Sequence, residues 1–429
     1  MSFSTLPPVD RIATALAGRG FPHWLIVEEA RRLLDSYRAR IRAGLLVDGT
    51  NAEAEVAASL ECLRKPSLRR VINATGVVLH TNLGRAPLPS SFTPIAGYSN
   101  LEYDLETGKR GKRDTHLAPL LDRLTGGKAS IVVNNNAAAA YLVLHEFGGE
   151  VLVSRGELIE IGDGFRIPDI LAHSGATLRE VGTTNRTHLH DYRLGITDRT
   201  RLILRVHPSN FHITGFTSKP ELSELAALSR ETGVPVYEDL GSGCVWDGLG
   251  EPLVRDSLAA GINLVSFSGD KLIGGSQAGI ITGDAHLIQR LRRNPMYRAL
   301  RVDKLVMQAL EEALRALLFG DYHKLPAVAL IQMPPESIRQ RALAIADRFP
   351  DATVIEGLSL AGGGSTPDRT LPTWLLRLPT QRPEQMERRL RTECDPPIIC
   401  RIADGALLFD LRTVDPADDP QLEKCLHGA

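Results

Sequence analysis

The chain has few aromatic residues, few cysteines and almost no net charge. Aromatic residues make up 5% of its 429 residues, and the formal net charge is −1. A charge this close to zero argues against a general nucleic-acid coat protein, although it does not exclude a local basic patch. The five cysteines are odd in number and form no C-x-x-C pair, so we expect reduced thiols in a cytoplasmic protein.

Long apolar runs and several common motifs are also missing. No uncharged apolar run reaches about 18 residues, and no charged segment followed by an apolar one opens the chain. We therefore expect neither secretion nor insertion into a membrane. The sequence has no Walker loop, no H-E-x-x-H motif and no spacing typical of zinc, and we predict no metal site.

The pattern along the chain predicts three sections. Residues 1–66 are predicted to form two helices, one of them amphipathic over 23–43, and residues 1–70 carry 10 Arg and 1 Lys against 8 acids. In residues 67–300, short apolar runs alternate with helical stretches, which predicts an α/β domain with a mostly parallel sheet. Residues 301–429 are predicted to form a bridging helix, near 303–318, and a smaller α+β domain.

The most informative stretch is residues 266–275, where Lys271 is flanked by small residues between two apolar runs. This pattern predicts a lysine on a loop at the end of a strand. An aldehyde cofactor such as pyridoxal phosphate needs a partly desolvated amine of this kind, because burial lowers the lysine pKa. Ser268 is a candidate ligand of the cofactor phosphate. Taken alone, Ser-x-x-Lys also fits an ordinary solvated loop.

Residues 232–243 predict a buried strand that carries Asp239 just before a glycine turn, 32 residues ahead of Lys271. An acid at the carboxyl end of a strand, about one β-α-β unit before the lysine, fits the partner of a pyridinium nitrogen. The plainer alternative is a helix cap or a turn residue.

Residues 130–140 predict a strand, a polar turn and the start of an alanine-rich helix. The unpaired backbone N–H groups of Asn136, Ala137 and Ala138 would then face one point and form a phosphate-binding cup. The alternative is simply a capped helix. Cup, acid and lysine follow one another in the order expected of a fold-type-I pyridoxal phosphate enzyme.

Beyond these motifs, several runs closely resemble the bacterial selenocysteine synthase family, the L-seryl-tRNA(Sec) selenium transferases. They are residues 70–85, 97–106, 153–162, 165–169, 181–187, 299–304, 362–365 and 403–414. The resemblance covers nearly the whole chain and implies a fold-type-I transferase with a helical, tRNA-binding N-terminal section.

The resemblance also implies the reaction, its cofactor and its partners. We expect conversion of L-seryl-tRNA(Sec) to selenocysteinyl-tRNA(Sec) through an aminoacryloyl intermediate held on pyridoxal 5'-phosphate. Lys271 would act as the base, and selenophosphate would be the selenium donor. The family further suggests a homo-oligomer, a ring of ten subunits built from dimers.

A selenophosphate donor needs fixed cations, and Arg85, Arg298 and Arg301 match the arginine positions of the family. The spacing of three between the last two predicts that both lie on one helix face. His207, predicted at another strand end, is a candidate for lining the cofactor or moving a proton, or is structural.

Weaker candidates are Arg166 and Glu160, the small-domain Arg401, and the basic run Lys109, Arg110, Lys112 and Arg113. The basic run is either a solvated loop or a phosphate contact across a subunit interface. Two departures from the family pattern occur: Ser276 replaces a proline, and Phe211-His212 replaces Tyr-Arg. The second removes a hydroxyl and a charge, which puts donor binding in question.

Two other functions are compatible with parts of this pattern. A pyridoxal phosphate lyase acting on a small amino acid or an amino-sugar phosphate would share the core without needing a tRNA-binding section. A non-catalytic RNA-binding or scaffold protein would be expected to lack Lys271 or Asp239, and both are present.

Overall fold

The computed structural model describes residues 6–161, 164–208, 211, 213–362 and 370–427. Internal contacts divide the chain into two units, residues 1–70 and 71–429. The first unit consists of helices α1 (Val9–Leu16), α2 (His23–Arg42) and α3 (Ala52–Arg64). These helices share an apolar core of their own, to which Ile12, Leu34 and Leu60 contribute.

The sequence predicts two helices in this unit, and the structure has α1 in addition. Gly18 and Gly20 adopt left-handed φ angles of 81° and 79° between α1 and α2. Glycine populates this region without steric cost, so the chain turns here and the helical pattern is interrupted. The amphipathic helix predicted over 23–43 is confirmed as α2.

The second unit is built around a mostly parallel sheet. Among the described residues, seven strands run in the order β4-β12-β11-β10-β9-β5-β8, and β12 is antiparallel to both of its neighbours. The strands are β4 (Ala129–Val133), β5 (Glu150–Ser154), β8 (Thr177–Val181), β9 (Thr200–Val206), β10 (Val236–Gly241), β11 (Leu264–Ser268) and β12 (Gly279–Gly283). The predicted α/β class is confirmed by this sheet.

Helices cover both faces of this sheet. Successive side chains of β9 pack into different apolar cores on the two faces of the sheet. Ile203 belongs to one core, and Leu202 and Leu204 belong to the other. Burial of both faces explains the apolar runs of inner strands such as β9, whereas β8, at the edge of the sheet, is largely polar and partly exposed. The flanking helices are α4 (Ala118–Thr125), α5 (Asn136–Phe147), α6 (Ile167–Ser174), α7 (Leu189–Gly195), α8 (Leu222–Thr232), α9 (Val254–Ala259), α10 (Ala285–Arg293) and α11 (Pro295–Leu300).

A long helix, α12 (Lys304–Phe319), follows, close to the bridging helix predicted near 303–318. Asp303 sets its start, since its carboxylate accepts from the N–H groups of Leu305 and Val306 at 2.7 and 3.0 Å. A smaller sheet then forms in the order β13-β14-β17-β16. The elements of this region are α13 (Pro326–Gln332), α14 (Pro335–Ala346), β13 (Thr353–Leu360), β14 (Thr370–Pro379), α15 (Pro383–Glu393), β15 (Ile398–Ile399), β16 (Arg401–Ala403), β17 (Ala406–Asp410) and α16 (Asp419–His427).

The segment that begins at residue 71 precedes the main sheet along the chain but packs with the smaller sheet. The short strand β1 (Ile72–Asn73) pairs in parallel with β15, and Ile72 belongs to the apolar core of the smaller sheet. The division at 66 and 300 stays a prediction. The remaining short strands form two hairpins, β2 (Tyr103–Asp104) with β3 (Lys109–Arg110) and β6 (Glu160–Ile161) with β7 (Phe165–Arg166). No helix in the described part of the chain is long and apolar enough to cross a membrane.

Candidate active site

A cavity of about 230 Å³ lies at the carboxyl edge of the main sheet. Open α/β sheets bind their ligands at this edge, where loops leave the parallel strands. The lining residues are Arg85, Asn135, Asn136, Ala137, Ile159, Val206, His207, Asp239, Gly241, Ser268, Asp270, Lys271 and Gln277. Lys271, Asp239, Ser268, Asn136, Ala137, His207 and Arg85 are therefore brought together, as the sequence predicts.

Lys271 lies in the tight turn between β11 and β12. Backbone bonds from Gly275 to Gly269 and from Gly274 to Lys271, both 2.9 Å, hold the turn. The lysine is only 6% exposed. Burial, helped by the nearby Arg85 charge and opposed by Asp270, lowers its pKa to about 8. At neutral pH the amine is thus much closer to its nucleophilic, uncharged form than a surface lysine is.

Asp239 faces the same cavity from β10 and is 5% exposed. Its Oδ1 accepts from Asn136 Nδ2 at 2.7 Å and from Ser266 Oγ at 3.4 Å. Burial raises the pKa of this carboxyl, while the Asn136 bond and the Lys271 charge act in the opposite direction. A cation placed against Asp239 would compensate for the burial of its negative charge.

The start of α5 forms the floor of the predicted phosphate cup. Asn135 caps the helix, because its side-chain oxygen accepts from the N–H of Ala138 at 2.9 Å. Ala138 is thereby already hydrogen-bonded and does not line the cavity, whereas Asn136 and Ala137 do. Asn136 Oδ1 is buried with no hydrogen-bond partner among the described residues.

Gly279 of β12 allows the start of α5 to approach the sheet. A Cβ on Gly279 would lie 2.0 Å from the Asn135 carbonyl oxygen, far inside van der Waals contact. We expect Gly279→Ala to lower the free energy of unfolding by about 1–3 kcal/mol in urea titrations. Gly111→Ala is the matched control, because its Cβ would come no closer than 3.3 Å to another heavy atom. Equal stability of the two variants would contradict this explanation.

Of the three arginines, Arg85 alone lines the cavity formed by the described residues. Arg85 lines the cavity, adopts a left-handed φ of 62° and donates to Asp270 Oδ2 at 2.9 Å. Arg298 is exposed on α11. Arg301 is the extended residue that ends α11, and it pairs with Glu102 Oε1 at 3.4 Å. The prediction of one shared helix face is wrong because the helix ends before Arg301.

Glu102 also binds the predicted basic run. Its carboxylate accepts from Arg113 at 2.6 Å and from Arg110 at 2.8 Å, which lowers its pKa to about 2. Arg110 and Arg113 are thus paired within the chain. Arg110 is exposed, whereas Arg113 and Glu102 are partly buried. Because solvent still reaches all three groups, we expect the cluster mainly to order the residues around the β2–β3 hairpin.

The remaining candidates are dispersed. His207 is half-buried at the end of β9, with Nε2 3.9 Å from Glu251 Oε2. Arg166 and Glu160 pair with each other at 2.6 Å on an exposed hairpin. Arg401 lies 4.0 Å from the buried Asp410 in the smaller sheet. None of the last three lines the cavity formed by the described residues.

The two departures from the family pattern also have defined places. Ser276 Oγ donates to the Val306 carbonyl at 3.1 Å, which ties the lysine turn to α12. Phe211 lines a second, neighbouring cavity. His212 and residues 363–365 lie outside the described residues.

Sequence analysis missed Asn135, Ile159, Val206, Gly241, Asp270 and Gln277 as lining residues. Asp270 offered a signal, since it directly precedes Lys271 in the most informative stretch. Ile159 and Val206 are apolar residues with no chemical signature, and only their position at the carboxyl edge of the sheet makes them part of the site.

A family model described as L-seryl-tRNA selenium transferase matches residues 71–415. Curated relatives named L-seryl-tRNA(Sec) selenium transferase include that of Aquifex aeolicus (strain VF5), 42% identical over 98% of this chain and 97% of the relative. The relative from Geobacter sulfurreducens (strain ATCC 51573 / DSM 12127 / PCA) is 44% identical over 99% of this chain and 98% of its own length.

Among solved structures, D-glucosaminate-6-phosphate ammonia-lyase is similar with a TM-score of 0.58 and 18% identity. The match covers 86% of this chain and 97% of that one. A likeness at this identity concerns the fold alone. Together with the mostly parallel sheet, it confirms the predicted fold-type-I architecture.

Proposed function

The chain belongs to the L-seryl-tRNA selenium transferase family, and we propose that it converts L-seryl-tRNA(Sec) to selenocysteinyl-tRNA(Sec). In this proposal selenophosphate is the donor, pyridoxal 5'-phosphate is the cofactor and the enzyme works in the cytoplasm as a homo-oligomer. The observation that carries it is the meeting of buried Lys271 and buried Asp239 in one cavity, beside the start of α5.

The residues present fit pyridoxal phosphate. Lys271 offers an amine with a lowered pKa, Asp239 a buried carboxylate for the ring nitrogen, and the start of α5 offers N–H groups for the phosphate. Asn136 donates to Asp239, and its own buried Oδ1 has no hydrogen-bond partner in the described part of the chain. Bound there, the cofactor would supply an electron-accepting ring that allows the α-C–H and β-C–O bonds of a seryl group to break.

Each side chain then has a separate task. Lys271 Nζ would hold the cofactor and move the α-proton, since its lowered pKa lets it accept a proton near neutral pH. Asp239 would keep the ring nitrogen protonated. Ser268, with Asn136 and Ala137, would hold the cofactor phosphate. His207 at the cavity wall would orient the cofactor ring.

Arg85 would bind the selenium donor at the cavity wall, because a guanidinium matches the oxygens of a phosphate-like anion. Its pairing with Asp270 aims the side chain into the site. We retain Arg298 and Arg301 as further donor ligands by their match to the family positions. Either would have to reorient its side chain to meet the donor.

The test of this function is conversion of seryl-tRNA(Sec) by the purified protein with selenophosphate, measured by mass spectrometry of the amino acid released from the tRNA. We expect selenocysteine from seryl-tRNA(Sec) and none from seryl-tRNA(Ser). A variant of residues 71–429 should capture pyridoxal phosphate but lose tRNA binding, because the separate, locally basic unit of residues 1–70 is removed. Ammonia release from D-glucosaminate 6-phosphate, with seryl-tRNA(Sec) unchanged, would instead support the lyase alternative.

The environment of Lys271 also predicts how cofactor capture depends on pH. The rate at which the cofactor-free protein takes up pyridoxal phosphate should rise through pH of about 8, whereas a lysine with its ordinary pKa of 10.5 would give a much higher midpoint. Arg85→Ala should move this midpoint upward, because a neighbouring positive charge that disfavours the ammonium form is removed. Asp239→Asn should move it downward. Stopped-flow absorbance gives the rates, and exposed Arg123→Ala is the control.

A further inference from the structure

A second and larger cavity, of about 570 Å³, lies at the same edge of the sheet. Its volume falls within the roughly 300–1,000 Å³ typical of small-molecule sites. Val206 and His207, at the end of β9, line both cavities and so separate them by a single strand end. None of the residues given a catalytic or cofactor-binding task above, except His207, lines this second cavity.

The floor of the second cavity is polar and almost completely buried. Glu157 Oε1 pairs with Arg205 Nη1 at 2.7 Å, and Glu157 Oε2 accepts from the N–H of Val206 at 3.0 Å. Glu238 is 4% exposed, and burial raises the pKa of its carboxyl although the nearby Ser257 hydroxyl acts in the opposite direction. Among the described residues, its Oε2 has no partner at full hydrogen-bond geometry. Buried polar atoms are rarely left unpaired in proteins, so this oxygen points to a ligand that donates an N–H or O–H.

The walls add an aromatic and apolar surface and one positive charge. Phe211, Ile213 and Leu222 line the sides, and exposed Lys219 lies at the rim. An aromatic ring facing a polar floor suits a nucleobase, which stacks on rings and donates hydrogen bonds from its edge. A lysine at the rim suits the phosphate that follows the nucleoside.

We propose that this cavity binds the 3′-terminal adenosine of the aminoacyl-tRNA. The assignment rests on the proposed function, because a seryl group in the first cavity is esterified to the ribose of that adenosine. A single ester oxygen then joins the ribose to the seryl group in the first cavity. The second cavity adjoins the first one across Val206 and His207. Glu238 would accept from an N–H or O–H of the nucleoside, and Phe211 would stack on its base.

The experiment uses the full-length, cofactor-loaded protein and two probes, studied by isothermal titration calorimetry. One probe is 3′-deoxy-3′-(L-serylamino)adenosine, whose amide bond resists hydrolysis, and the other is L-serinamide, which lacks the nucleoside. We expect the nucleoside to increase affinity at least tenfold. Phe211→Ala removes the ring, and Glu238→Leu removes the hydrogen-bond acceptor at similar side-chain size. Each should remove roughly tenfold of that gain, and neither should alter L-serinamide binding.

Thr217→Trp is a second test of the cavity, needed because the two variants with changes at buried or partly buried side chains could misfold. Thr217 is an exposed lining residue, so a tryptophan there fills the cavity without deleting a buried group. We expect it to abolish the nucleoside gain. Thr214→Trp is the matched control, because Thr214 is exposed on the same loop and is not among the lining residues.

Two failures can be told apart by measuring conversion of seryl-tRNA(Sec) in parallel. If the wild-type protein converts this substrate but the nucleoside adds no affinity, or if Thr217→Trp binds the adenosine probe normally, the cavity assignment is wrong. If the wild-type protein does not convert seryl-tRNA(Sec), the proposed function is wrong and the assignment falls with it.

Discussion

Lys271→Ala is expected to lower selenium transfer to seryl-tRNA(Sec) by on the order of 10³-fold or more. The lysine is buried in the cavity with a pKa lowered to about 8, so it combines an available nucleophile with a base that works near neutral pH. Its replacement removes both roles at once. Single-turnover conversion measures the loss, and borohydride reduction followed by peptide mapping should place the cofactor on Lys271 in the wild-type protein.

Lys128→Ala is the matched control, since the Lys128 side chain is 76% exposed and forms a surface ion pair with Asp284 at 3.3 Å. We expect full activity from it. Cofactor attached by reduction to another lysine, or a Lys271→Ala protein with normal turnover, would show that the buried amine is structural. Rescue of Lys271→Ala by added small amines would support the proposed proton transfer.

The parts of the site that were predictable are those specified by local sequence. Lys271, Asp239 and Asn136 each follow an apolar strand pattern, and the carboxyl ends of parallel strands share one edge of a sheet. Once the α/β pattern is recognised, the meeting of these three residues follows. The lowered pKa of Lys271 then follows from the same burial.

The parts that were missed depend on where helices end and on contacts distant in sequence. Arg298 and Arg301 differ by three residues, but α11 ends at Leu300, so helical spacing no longer describes their directions. The sequence predicts a free N–H of Ala138 in the phosphate cup, but this N–H donates to the capping side chain of Asn135. Helix boundaries are the least certain feature that a sequence pattern predicts. Both incorrect predictions concern residues at the end of a helix.

The pairing of β1 with β15 joins segments more than 300 residues apart, at Ile72 and Ile398. Neither segment carries a periodic signal long enough to predict the pairing. The segment after β1 continues to Arg85, so the arginine that lines the cavity lies on a chain anchored at one end in the smaller sheet. The left-handed backbone of Arg85 and its bond to Asp270 complete this placement.

The second large effect is expected from Asp239→Asn. Burial of the Asp239 carboxylate lowers the stability of the folded protein, although the same carboxylate is proposed to serve the reaction. Its pKa is raised by burial, so the unfolded chain releases the proton more readily and the folded state loses stability as pH rises through the ordinary carboxyl range. Asp239→Asn should therefore unfold at equal or higher urea concentration at pH 7. The Asn136 contact to Oδ1 can be retained by the amide oxygen.

The same variant should lose about 10²- to 10³-fold in the rate of selenium transfer, because a neutral amide no longer keeps the cofactor ring nitrogen protonated. Exchange of the seryl α-hydrogen with solvent deuterium measures the affected step directly, and cofactor content should be unchanged. Asp256→Asn, at a side chain that is 69% exposed, is the control and should exchange normally. An exchange rate equal to that of the wild-type protein would show that Asp239 is a structural residue. Loss of both stability and cofactor would show that its charge holds the fold together. Slow exchange in a stable, cofactor-loaded protein is the one result that agrees with the proposed role.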